Sequence, residues 1–219
     1  MLATSSRATR VRHRALAGAL LLALAGAAGC GQLNEKGGSP SYLVIGSLEA
    51  ASGAKPGDVG NTLQSDVITL VKSTVAGEDT YVATIYEDVG VVTLRAAMKE
   101  LAGGSSPATP TPANTITVTR YHVEFKRADG RNTPGVDVPY GFDGAATGSF
   151  DSGGGSLSFV LVRAQAKAEA PLKALRNGGG AMVISAIAEV TFYGQDQNGN
   201  TVSVTGLISV NFADWGDPT

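Results

Sequence analysis

Residues 181–213 read AMVISAIAEVTFYGQDQNGNTVSVTGLISVNFA, and their pattern decides the fold class. Met182, Ile184, Ala186, Ala188, Val190 and Phe192 stand at every second position, the spacing that puts side chains on one face of a strand. The segment QDQNGNT follows, and Asn198-Gly199 predicts a two-residue hairpin turn of type I′. The return strand places Val202, Val204, Ile208, Val210 and Phe212 on one face. Leu207 falls on the other face beside Gly206, which predicts a local kink.

Outward from this hairpin the chain is a series of short strands and turns. Tyr42 to Leu48, Asp66 to Val75, Tyr81 to Tyr86 and Ser156 to Gln165 are strand candidates, with Gly77-Glu78-Asp79 as a turn. Residues 90–98 put Val92, Leu94, Ala96 and Met98 on one face. Leu94, Ala97, Met98 and Leu101 also fit helical spacing, but the Gly-Val-Val-Thr entry favours a strand. Residues 103–114, GGSSPATPTPAN, are a loop whose prolines exclude a central strand. In 114–126 the alternation changes phase: Ile116 and Val118 share one face, whereas Tyr121, Val123 and Phe125 share the other. A period of two cannot shift this way without an extra residue, so a β-bulge near Thr119-Arg120, or a change of partner sheet, is expected. Pro171 to Arg176 suits a short helical turn that exits at Asn177-Gly178. Such a series predicts an all-β, antiparallel, immunoglobulin-like β-sandwich of about 7–9 strands over residues 42–219, without the cysteine and tryptophan pattern of antibody domains.

The N-terminus has a different character. Arg7, Arg10, Arg12 and Arg14 precede an apolar run from Ala15 to Ala28, about 14 residues, which is shorter than the roughly 20 a spanning helix needs. A basic flank and a short apolar core are the marks of a signal peptide, here residues 1–29. Leu24-Ala25-Gly26-Ala27-Ala28-Gly29-Cys30 resembles the lipobox of bacterial lipoproteins, with Ala27 where Leu is usual. The resemblance implies that Cys30 receives diacylglycerol and becomes the mature N-terminus. It also accounts for a single cysteine in an exported chain. Residues 30–41 then form a tether rich in Gly, Ser and Pro. By resemblance to lipoprotein sorting in enteric bacteria, where an Asp after the cysteine signals inner-membrane retention, Gly31 implies the outer membrane. The membrane, reached through lipid, is thus the first expected partner.

The chain has 219 residues; removal of 29 leaves about 190, enough to bury a core without disulfides. Taking the four signal arginines from 17 Lys and Arg leaves 13, against 19 Asp and Glu. A net charge of about −6 without basic clusters argues against nucleic acid.

Candidate chemistry is sparse. The mature chain holds one histidine, His122, read as an exposed strand residue beside Glu124, and one cysteine, so Cys/His zinc sites are excluded. Gly153-Gly154-Gly155 reads as a flexible turn, lacking the Lys and helix of a phosphate loop. Asp196 to Asn200 resembles half a calcium loop, but its glycine is one position early and no Glu follows. No metal or other cofactor is expected. The candidate binding loop is GRNTPGVDVPYGFDG, residues 130–144: Tyr140 and Phe142 offer aromatic surface, and Asp137 and Asp143 offer acceptors. The same loop also reads as a strand connection whose aromatics pack on the sandwich edge.

The segment from Arg120 to Gly144 and the stretch FYGQDQNGNTVSVTGLISVNFAD are similar to a group of uncharacterised exported bacterial proteins, a resemblance that implies a fold and no activity. The expected function is non-enzymatic: a lipid-anchored envelope module that binds an envelope protein or glycan, or serves a structural role. The alternatives are an envelope hydrolase using Asp129, Asp137, Asp143 and Asp151, and an assembly or chaperone lipoprotein that pairs an edge strand with a client.

Overall fold

The computed structural model describes residues 38–99 and 111–217. The expected signal segment, Cys30, most of the expected tether and most of the proline loop lie outside the described residues. In chain order the strands are β1 (Ser41–Ala51), β2 (Thr62–Asp66), β3 (Thr69–Val75), β4 (Glu78–Thr84), β5 (Asp88–Met98), β6 (Ile116–Lys126), β7 (Phe142–Phe150), β8 (Gly155–Val162), β9 (Ile184–Asp196) and β10 (Thr201–Ala213). One sheet has the order β1-β5-β8, a second β2-β10-β9-β6-β7, and β3 and β4 form a separate hairpin. The protein is all-β, with the two larger sheets packed as a sandwich. The larger sheet is mixed, because β2 runs parallel to β10.

The opening hairpin has the predicted alternation. Ala186, Ala188, Val190 and Phe192 of β9 are buried, as are Val202, Ile208, Val210 and Phe212 of β10. Met182 precedes the strand and is 50% exposed. The turn is not type I′: of its residues only Gly199 has positive φ, and its N–H donates to Asp196 O at 3.0 Å. This is a type I turn followed by a left-handed glycine. The reason lies in Asp196, whose Oδ1 accepts the N–H groups of Asn198 and Asn200, both at 2.9 Å. The two-residue turn with positive φ throughout lies instead between β3 and β4, at Ala76 and Gly77.

Gly206 is not a kink. The β9–β10 register runs unbroken from Thr201 to Phe212, and Leu207 points outward, 64% exposed. Gly206 holds a core-face position where a Cβ would lie 2.8 Å from Ile45 Cδ1 and 3.0 Å from Leu48 Cδ2. Close approach of β1 explains the glycine.

Both pairings of β6 shift register between Val118 and Arg120, at the expected bulge. Beyond it, Tyr121 turns inward with Val123 and Phe125. The Tyr121 ring lies 5.1 Å edge-on from Phe159 of the opposite sheet. Its hydroxyl accepts the Val160 N–H at 3.2 Å, next to an irregularity in the β5–β8 ladder. Burial pushes the Tyr121 phenol above its ordinary range. Tyr121→Phe leaves that N–H without its partner, at an expected cost of about 1–3 kcal/mol. Urea unfolding of the two proteins checks this, and equal midpoints would refute it.

Three segments differ from expectation. The expected strand 66–75 breaks at Val67–Ile68, between the end of β2 and the start of β3, where Val67 N–H donates to Ala213 O and the Asp66 carboxylate takes the Thr69 hydroxyl at 2.6 Å. Residues 156–165 leave the sheet at Val162 and form helix α1 (Ala164–Ala168), followed by a 3-10 turn, Leu172–Leu175. Strand β7 was not expected: its sequence, FDGAATGSF, is mostly small residues. Aromatic rings account for them. A Cβ at Gly144 would collide with the Tyr121 ring, and one at Gly148 would lie 2.9 Å from Phe150.

Candidate functional site

The strand directions give the sandwich two distinct ends. At one, Ser41 pairs with Met98, Ala96 N–H donates to Asp151 O, and the hairpin turn at Asp196 lies beside Ile116. At the other are the start of β5, the end of β8, α1 and the loop from Arg127 to Gly141. Ten residue steps of about 3.3 Å along β5 separate them.

The loop is built by its own hydrogen bonds. Thr133 O accepts Asp137 N–H at 2.8 Å, and Thr133 N–H donates to the Asp137 carboxylate at 3.1 Å. Val138 and Pro139 are buried beneath it. Tyr140 is 52% exposed and folds across Gly135, whose positive φ and lack of a Cβ admit the ring. Phe142 requires a correction: it is 8% exposed, with the Arg163 guanidinium 4.4 Å above its ring and Tyr121 edge-on. It anchors β7 and offers no aromatic surface. Asp143 sits outside, 3.2 Å from His122 Nδ1 and 3.4 Å from Arg120. Of the four named loop residues, Tyr140, Asp137 and Asp143 therefore remain available to solvent, with Val136 exposed beside them.

The other acids have local partners. Asp129 is clamped between Arg127 and Arg131, which hold its carboxyl far below the usual range. Asp151 caps the glycine turn through the Gly153 and Gly154 N–H groups. At Asp196 burial pushes the carboxyl up, but hydrogen bonds from Asn200, Ser39 and Asn198 outweigh it and hold it low. Those bonds occupy both oxygens of the residue that would open a calcium loop. Among the described residues, no three of His, Cys, Asp and Glu are grouped to hold a metal.

The least expected chemistry lies in the core at the loop end. Lys167 Nζ is 2.7 Å from Asp88 Oδ1, and both side chains are 0% exposed. Asp88 Oδ1 also accepts the Gly53 N–H at 2.9 Å, and Oδ2 accepts the Ser65 hydroxyl at 2.6 Å. Gly53 has no room for a Cβ, which would collide with Glu87 O. Arg176 donates to Lys167 O at 2.7 Å and so fixes the end of α1. Burial pushes the Lys167 amine down, and Asp88 pulls it only part of the way back. Next to this group is a cavity of about 230 Å³ lined by Ser52, Lys55, Asp58, Asp66 and Trp215. Asp66 accepts the Trp215 N–H at 3.1 Å, and burial raises its carboxyl above the usual range.

None of Asp88, Lys167, Ser65 or Asp66 stands out in the sequence. Lys167 lies in AQAKAEA and Asp88 in YEDVG, where each reads as a surface charge. Their positions are 79 residues apart, and only the two-sheet packing brings them together. Comparisons with family models, with curated proteins and with solved structures found no match.

Proposed function

We propose that the protein is a lipid-anchored module of the bacterial cell envelope that binds an envelope protein or glycan through the loop end of its sandwich. The observation that carries this reading is the N-terminal pattern: four arginines, a short apolar run and small residues leading to the only cysteine, Cys30. The fold is compatible with it. The chain enters the domain at Ser39–Ser41, while Val136, Asp137 and Tyr140 lie at the opposite end. An anchor on Cys30 joins the domain away from the loop. The role is binding or structural rather than catalytic, which is supported by the local engagement of Asp129, Asp143 and Asp151. The outer membrane is the proposed location.

The sandwich is immunoglobulin-like in this reading. If β1, β5, β6, β7, β8, β9 and β10 take the letters A, B, C, C′, E, F and G, one sheet is A-B-E and the other carries G-F-C-C′. Strand β2 is then a second segment of A that crosses to G, and β3–β4 is an insertion.

The test is metabolic labelling with palmitate of the wild type and of Cys30→Ser. Label in the wild type and none in the variant is expected; equal labelling rejects the anchor.

A further inference from the structure

We propose that Lys167 and Asp88 are the two ends of an intramolecular amide cross-link, formed in the folded domain by condensation of the Lys167 amine with the Asp88 carboxyl. Position comes first. Nζ lies 2.7 Å from Oδ1, and Cγ is one bond of about 1.23 Å further, so nitrogen and carbon are no more than about 4 Å apart. Both side chains are sealed from bulk solvent, which holds the pair in this geometry.

On the lysine side the ion pair is poorly satisfied. A lysine ammonium has three N–H donors. Among the described residues, Asp88 Oδ1 is the only acceptor that Lys167 Nζ reaches. An ammonium buried with donors unpaired is costly, and burial already pushes this amine toward its neutral form. The neutral amine carries the lone pair that attack requires. On the carboxyl, the Ser65 hydroxyl aims a donor at Oδ2 from 2.6 Å, and the Gly53 N–H at 2.9 Å holds Oδ1 in place beside the amine. Donors fixed in a dry site stabilise the negative oxygen that forms when a carboxyl carbon is attacked.

The balance closes without a co-reactant. A proton passes from Nζ to Oδ1, leaving a neutral amine and a carboxylic acid. The nitrogen lone pair adds to Cγ, and the charge develops on Oδ2, held by Ser65. The Cγ–Oδ1 bond then breaks, and Oδ1 leaves with a proton from nitrogen as one water. The product is a secondary amide with a single N–H donor, whose carbonyl oxygen keeps the Ser65 hydroxyl as its donor, while the Gly53 N–H gives up its acceptor with Oδ1. Nothing is oxidised or reduced. Such a link ties β5 to the segment between β8 and β9, and it does not depend on the membrane anchor.

The test is peptide mapping of the denatured full-length protein after trypsin digestion. The expected result is one branched peptide holding both Asp88 and Lys167, lighter by one water than its two parts, with the Lys167–Ala168 bond uncut. Lys167→Arg should give two separate peptides of unmodified mass. Cleavage after Lys167 in the wild type, with both peptides at full mass, overturns the proposal whether or not the variant folds.

Discussion

Lys167→Ala lowers the unfolding free energy by about 3–5 kcal/mol, the expected cost of leaving one member of a buried ion pair alone. That is a large share of the roughly 5–15 kcal/mol that holds a domain together. Asp88 keeps the Ser65 hydroxyl and the Gly53 N–H, but it loses its ion-pair partner while fully buried. The α1 turn also loses its tie to β5. Guanidinium unfolding reads the change. Lys167→Met combined with Asp88→Asn removes both charges together and should recover the part of the loss that comes from the lone carboxylate, since a neutral pair is far cheaper to bury. An unchanged midpoint in Lys167→Ala would mean that water reaches the pair. If the pair is joined by an amide, the single variant loses a covalent tie as well, and its deficit exceeds this range.

Phe192→Ala is the second large effect, expected at about 3–5 kcal/mol. Phe192 is fully buried on β9, and its ring meets Phe159 of the opposite sheet at 5.2 Å in an edge-to-face arrangement. Tyr121 lies 6.3 Å from it and 5.1 Å from Phe159, so the three rings form a triangle. These three rings bridge the sheets, so truncation leaves a cavity that neither sheet can close alone. The loss is read from the thermal midpoint. A shift no larger than that of an exposed control such as Leu207→Ala would contradict this account.

What was legible in the sequence had a simple period. The β9–β10 hairpin, the β5 strand and the β6 bulge all follow from apolar residues at alternate positions, and at the bulge the phase change itself was the signal. Strand β7 was illegible because its residues were selected for smallness, and the rings that require smallness belong to residues such as Tyr121, more than twenty positions earlier. The Asn198-Gly199 turn misled because Asp196 redirects the backbone through its own carboxylate. In the candidate loop, charge and aromatic content marked the segment, but the burial of Phe142 depends on Arg163 crossing from another strand connection. The Lys167–Asp88 pair left no one-dimensional trace, since Ala-Lys-Ala and Glu-Asp-Val are ordinary surface spellings.

The parallel pairing of β2 with β10 also governs the order of assembly. Thr62 finds its partner at Ser209, and Leu70 N–H finds Asp217, so an early segment waits for almost the entire chain before its ladder can form. Contacts this distant in sequence form slowly, because loop-closure entropy must be overcome before they contribute. Until β10 is delivered, β2 has no ladder to join and the larger sheet lacks its parallel edge. Delivery of residues 209–213 is therefore the event that completes the larger sheet, and a chain ending before Ser209 has no parallel edge at all.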